Sequence, residues 1–139
     1  MAAQVVASPI LVLVDDSPAF SVTVLEMLRT KYRVAAAFSD GTSALDKIGV
    51  LSPDIVILDI SLGDLSGFEV ARRLKLSKCP AKIIFLTMHE DTDFVSAARD
   101  VGASGYVFKS CLTVDLTKAI DTVFHGGRFQ SGALSTKVR

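Results

Sequence analysis

Four short aliphatic runs in this chain end in residues that can do chemistry. Asp15 and Asp16 follow ILVLV, Asp59 follows IVIL, Thr87 follows IIFL, and Lys109 follows GYVF. If these runs are neighbouring strands, the residues after them converge on one rim. Three carboxylates gathered there repel one another unless a cation lies among them. A hard divalent ion meets that demand. Magnesium (Mg²⁺) suits the set better than zinc or calcium, because the ligands are oxygens, no His or Cys joins them, and the carboxylates are too few for an all-protein calcium cage. Water and a phosphoryl group would complete its coordination.

Each residue taken alone has a plainer explanation. Asp15 or Asp16 is equally well placed to cap a helix that begins near Pro18. Asp59 suits a turn at the end of a strand. A Thr that ends a strand and a Lys on a loop are ordinary surface or structural residues. What favours chemistry is the joint pattern, with every position at the same end of a successive strand.

The runs alternate with helix-like stretches. Ile10 to Val14 is too short for a helix and apolar throughout, as befits a strand buried on both faces. Further strands are predicted at Val34 to Ala37, Ile55 to Leu58, Ile83 to Leu86 and Gly105 to Phe108. Ser17 and Pro18 read as a helix start, and Phe20, Val24, Leu25 and Leu28 recur at helical spacing up to Thr30. Other helices are predicted from Thr42 to Leu51, Gly67 to Lys75, Asp91 to Asp100 and Thr113 to Phe124, with His125 capping the last. Strand–helix alternation with right-handed crossovers implies a parallel sheet covered on both sides, a doubly wound α/β fold. Ligands of such sheets sit beyond the carboxyl ends of the strands, where the five chemical residues lie.

Composition narrows the classes. A chain of 139 residues, half of them hydrophobic, can bury one sizeable core and leaves little room for a second domain. We expect a tail over residues 1–9, a domain over 10–127, and a C-terminal tail or the start of a linker over 128–139. Fifteen basic residues balance fifteen acidic ones, so whole-chain charge offers no attraction to nucleic acid or anionic membrane. Cys79 and Cys111 fit neither a disulfide framework nor zinc spacing, and read as half-buried thiols of a reducing cytosol. The opening MAAQVVASP lacks a basic segment before an apolar one, and no apolar run approaches the roughly 18 residues of a bilayer span. A cytoplasmic protein without membrane contact is expected.

These residues resemble the receiver domains of bacterial response regulators, from Ile10 to about Gly127. The matching segments are LVDDS with Asp15 and Asp16, VILDISLGDLSG with Asp59 and Gly67, IIFLTMHED with Thr87, and GASGYVFKS with Tyr106 and Lys109. The stretch from Leu86 to Ser110 and the segment LTKAIDTVFHGGRF look like the NarL/LuxR-type subfamily, whose members typically carry a DNA-binding helix-turn-helix after the receiver. The resemblance implies a flavodoxin-like (CheY-like) sheet of five parallel strands in the order 2-1-3-4-5, with five helices. It implies Asp59 as phosphoacceptor, and Mg²⁺ held by Asp16, Asp59 and the Ser61 carbonyl, with Asp15 reaching it through water. Thr87, Lys109 and Tyr106 would bind the phosphoryl group and switch the surface of helix four, strand five and helix five. Tyr106 would turn from an exposed to a buried position. Ser61 and His89, two residues past Asp59 and Thr87, would tune hydrolysis of the acyl phosphate, although His89 reads equally well as an exposed loop residue.

Partners implied by the resemblance are a sensor histidine kinase or phosphotransfer protein, and a second copy on phosphorylation. Output to transcription would run through an effector domain, with no direct DNA contact by this chain. Three departures stand out. Leu62 and Gly63 replace a frequent Met-Pro, implying a looser loop. Met88 is larger than the usual residue after the switch Thr, implying narrower access to the phosphoryl group. Ser110 replaces a Pro after Lys109, so a trans peptide is expected there. Rival classes fare worse. An unphosphorylated binding module would not need the full acidic set. A flavin carrier needs hydroxyls where LVDDS has carboxylates, and a haloacid-dehalogenase-type phosphatase needs its two acids one residue apart. Neither GxxxxGK[ST] nor GxGxxG occurs.

Overall fold

Alternate residues of the first strand, β1 (Ile10–Val14), face opposite ways, and both faces are covered. Val12 and Val14 enter one core, Leu11 and Leu13 the other. The computed structural model describes residues 7–132. In chain order, β1 is followed by α1 (Pro18–Arg29), β2 (Arg33–Phe38), α2 (Gly41–Leu51), β3 (Ile55–Leu58), α3 (Gly67–Leu76), β4 (Lys82–Thr87), α4 (Thr92–Asp100), β5 (Gly105–Phe108), a single 3₁₀ turn (Lys109–Cys111), α5 (Leu112–Phe124) and β6 (Phe129–Gln130).

Two cores sandwich the sheet. On one side, Ala44 and Ile48 of α2, Val70 and Leu74 of α3, and Val95 and Ala98 of α4 pack on Val56, Leu58, Ile83 and Phe85. On the other, Val24 and Leu28 of α1 and Leu116, Ile120 and Val123 of α5 pack on Ile55, Ile57, Ile84 and Leu86. Burial of a side chain such as Phe85, fully removed from solvent, contributes about 1.5–3 kcal/mol. The double winding is therefore a direct consequence of strands apolar on both faces.

The sheet corrects one expectation. It holds six strands in the order β2-β1-β3-β4-β5-β6, not five. β6 lies in the segment read as tail or linker and pairs in parallel with β5, Gly105 opposite Phe129 and Tyr106 opposite Gln130. Two residues carry no readable periodicity, and the glycines before them look like a chain stop. Helix ends follow local chemistry. Ser17 caps α1, its hydroxyl accepting from the Phe20 amide at 3.3 Å with Pro18 next, so neither Asp15 nor Asp16 is the cap. His125 closes α5, and its ring Nδ1 donates to the Asp121 carbonyl at 2.8 Å. No cis peptide occurs among the described residues, Lys109–Ser110 included.

Candidate functional site

The carboxyl ends of β1, β3, β4 and β5 form one rim, because parallel pairing with little stagger brings Val14 beside Leu58, Leu58 beside Phe85, and Thr87 beside Phe108. Asp15, Asp59, Thr87 and Lys109 therefore meet. Lys109 Nζ lies 2.9 Å from Asp15 Oδ2 and 3.0 Å from Asp59 Oδ2, and the three side chains are at most 8% exposed. The ammonium also sits 4.3 Å above the centre of the Phe20 ring. Asp16, next in sequence, is exposed.

Buried charge sets the electrostatics. Burial pushes the Asp59 carboxyl above its ordinary value; Lys109 pulls it down, the neighbouring Asp15 charge pushes it up again, and the net direction is upward. Burial alone would lower the Lys109 ammonium, but the two carboxylates outweigh it and hold the charge in place. Asp15 Oδ1 accepts the Ser17 amide at 2.8 Å. Its Oδ2 is fully buried, with the Lys109 charge nearby but no aligned hydrogen-bond donor. One oxygen from each of Asp15, Asp16 and Asp59 lies within 4.8 Å of the others. An under-satisfied buried oxygen among three clustered carboxylates is a donor set that fits a small, hard cation.

The loop after β3 is tied down at several points. Ser61 and Ser66 form an antiparallel bridge across it, and the Gly67 amide donates to the Ile60 carbonyl at 2.6 Å. Leu62 is buried in the core, while Gly63 takes φ +87°, a left-handed conformation suited to glycine. Asp64 accepts from the amides of Gly41 and Thr42, each at 3.0 Å, which holds its carboxyl well below the usual range. Against the looser loop implied by Leu62 and Gly63, these contacts anchor it to α2 and the core. Gly67 is required by proximity: a Cβ there would overlap the Asp59 carbonyl and lie 2.8 Å from Ile60 Cα.

The residues expected to act as a switch are linked to one another. Thr87 is fully buried, and its hydroxyl accepts from the His89 amide at 3.3 Å. The Tyr106 hydroxyl donates to the His89 carbonyl at 2.7 Å, with the ring inward and 3% exposed. Tyr106 thus occupies the buried one of its two expected positions. His89 Nε2 and Ser61 Oγ are hydrogen-bonded at 3.2 Å, and the imidazole stacks on Phe94 at 4.1 Å. Met88 points outward, 73% exposed. Sequence reasoning missed Phe20 over Lys109, Asp64 on α2 and Glu90, which accepts from Ser110 Oγ at 2.7 Å. Only contacts distant in sequence reveal them.

Residues 11–121 match the family of response regulator receiver domains. The positive alginate biosynthesis regulatory protein of Pseudomonas aeruginosa is 39% identical over 105 residues, 75% of this chain and 42% of that protein. The nitrate/nitrite response regulator NarP of Escherichia coli is 31% identical over 129 residues, 91% of this chain and 60% of that protein. The chain spans about half the length of the curated relatives it matches. Among solved structures, a LuxR-family two-component response regulator from Aurantimonas sp. SI85-9A1 superposes with a TM-score of 0.88 at 30% identity, covering 95% of this chain and 96% of that one. The isolated REC domain of RcsB from Salmonella enterica, solved with the phosphomimetic BeF₃⁻, gives 0.85 at 25% identity, over 96% and 100%. With its acidic rim, bridging Lys109 and inward Tyr106 beside Thr87, the chain belongs to the response regulator receiver domain family, a signalling switch of LuxR/NarL type.

Proposed function

We propose that Asp59 accepts a phosphoryl group from a phosphohistidine on a sensor histidine kinase or phosphotransfer protein. A carboxylate oxygen of Asp59 attacks phosphorus, the N–P bond breaks, and the imidazole leaves with its electron pair. The observation that carries this reading is the Lys109 ammonium, 2.9 and 3.0 Å from two buried carboxylates, directly after Phe108, which pairs with Thr87 at the end of the neighbouring strand. Lys109 is poised to exchange a carboxylate for a phosphoryl oxygen. Asp16, Asp59 and the Ser61 carbonyl would hold Mg²⁺, with Asp15 reaching it through water. When bound, that ion supplies neutralisation of charge on the transferring oxygens.

Phosphorylation adds nearly two negative charges, and the Thr87 hydroxyl turns to donate to one of the new oxygens. Its contact with the His89 amide then changes, and with it the carbonyl that holds Tyr106. The surface of α4, β5 and α5 follows as a population shift. Ser61 and His89, bonded to each other, flank the path of the water that hydrolyses the acyl phosphate and set its lifetime. Output passes to transcription through an effector domain, with a second copy of the chain as dimer partner and no direct DNA contact by these residues. A cytoplasmic setting belongs to the same reading, as the place where a sensor kinase's phosphohistidine would be met. No helix among the described residues is long and apolar enough to cross a membrane.

Intact mass after incubation with Mg²⁺ and acetyl phosphate tests the proposal. One phosphoryl group is expected on the wild type and none on Asp59→Asn. Incorporation that survives the substitution, or none in the wild type, refutes it.

A further inference from the structure

Phe20, the third residue of α1, is half-buried and packs against the core formed by α1, α5 and the sheet. Its ring also meets the acidic rim, because Lys109 Nζ stands 4.3 Å from the ring centre. Two carboxylates, at 2.9 and 3.0 Å, and one aromatic face therefore share an ammonium whose side chain is only 8% exposed.

The ring is placed by the acids it sits beside. The Ser17 amide donates to Asp15 Oδ1 at 2.8 Å, the Ser17 hydroxyl accepts from the Phe20 amide at 3.3 Å, and Lys109 returns to Asp15 through Oδ2. These contacts close a circuit from Asp15 through Ser17, Phe20 and Lys109 back to Asp15. Pro18, within it, fixes one backbone angle of the first turn of α1. The ring is thus held by backbone contacts close to the site, whereas Lys109 reaches it from the turn after β5 on a long, flexible stem.

That difference matters when phosphorus arrives. As the Asp59 oxygen bonds to it, the carboxylate charge passes to the phosphoryl oxygens, and Lys109 must turn from one to the other. Asp15 competes for the ammonium, and so does Asp16, since one oxygen from each of Asp15, Asp16 and Asp59 lies within 4.8 Å of the others. A third carboxylate in place of the ring would add to the competition. An aromatic face attracts the ammonium through its quadrupole and leaves the charge unneutralised for the phosphoryl group.

We propose that Phe20 is a positioning residue for phosphoryl transfer: its ring holds the Lys109 ammonium over Asp59 while the ammonium passes from the carboxylate to the incoming phosphoryl oxygens. The proposal rests on the reading of Asp59 as phosphoacceptor. The ring affects rate because its hold counts most when one of the two carboxylate contacts is being given up. A packing contact of α1 on the sheet asks only for an apolar side chain of suitable size, and needs no aromatic face above which an ammonium sits.

The test follows phosphorylation of the 139-residue chain by intact mass, with Mg²⁺ and acetyl phosphate, whose acetate leaves with the bonding electron pair as the Asp59 oxygen takes the phosphorus. Phe20→Leu, apolar but without an aromatic face, should slow the reaction about tenfold, a common weight for a partly desolvated cation over a ring. Phe20→Tyr restores the face and should return the rate to within about twofold of the wild type. The second readout is the Lys109 ε-methylene proton signals, since an aromatic face displaces protons above it upfield. They should lie upfield in the wild type and Phe20→Tyr and move downfield in Phe20→Leu. A wild-type rate in Phe20→Leu, or an equal loss in Phe20→Leu and Phe20→Tyr, overturns the proposal and leaves the phosphoacceptor standing. So does a slowed Phe20→Leu whose Lys109 signals have not moved, the result expected of a packing residue. A wild-type chain that gains no phosphoryl group overturns both this role and the reading beneath it.

Discussion

Lys109→Met keeps an apolar stem and deletes the charge that separates Asp15 from Asp59. At 2.9 and 3.0 Å, and an effective dielectric of about 20, each ion pair is worth about 5 kcal/mol of attraction. Desolvating the ammonium costs several kcal/mol and offsets part of this. In the variant the carboxylates face each other with oxygens within 4.8 Å, a repulsion of about 3 kcal/mol on the same scale. Removing one partner from a buried ion pair then sets the expected loss of stability at about 3–5 kcal/mol at pH 7 without Mg²⁺. The pH dependence has a definite sign. Burial already holds the Asp59 carboxyl above its ordinary value, and Lys109 is the group that pulls it down, so the variant raises it further. A carboxyl raised in the folded state takes its proton there first, so stability falls as pH climbs from the unfolded value of about 3.9 through the folded one. The penalty of Lys109→Met should therefore be smaller at pH 5 than at pH 7, and Mg²⁺ should restore part of it at pH 7. Urea unfolding at both pH values, with and without the ion, measures this. A loss below about 1 kcal/mol at pH 7, or one equal at the two pH values, would refute the claim that Lys109 balances two buried carboxylates.

Asp16 is exposed, so Asp16→Ala should weaken Mg²⁺ binding about tenfold in an NMR titration while leaving the free energy of unfolding in urea within about 0.5 kcal/mol of the wild type. Gly67→Ala forces a methyl group into the Asp59 carbonyl and Ile60, and a thermal melt should show a loss of about 1–3 kcal/mol together with weaker Mg²⁺ binding, because the Asp59 backbone must shift. For His89→Ala, the decay of the acyl phosphate followed by intact mass should change several-fold at unaltered stability; an unchanged rate would make His89 a bystander stacked on Phe94.

The sequence by itself determined five strands, five helices and their order. β1 and β3 are aliphatic without interruption and β4 carries the apolar run Ile83 to Leu86, which only a two-sided sheet can bury, and Ser17-Pro18 and the apolar stripe of α5 carry their own helix signals. Residues that follow strands of a parallel sheet share one end, so Asp15, Asp59, Thr87 and Lys109 were legible as a group before any distance was known. Tertiary structure decided the rest, because those features depend on contacts between residues far apart in the chain. Ser17 rather than an aspartate caps α1, and this leaves Asp15 free to meet Lys109. Leu62 and Asp64 fasten a loop whose local sequence suggested looseness, since one is buried by α3 and the core while the other accepts the amides opening α2. Phe129 and Gln130 become a sixth strand although two residues have no pattern of their own, because the edge of β5 offers amides and carbonyls that must be satisfied.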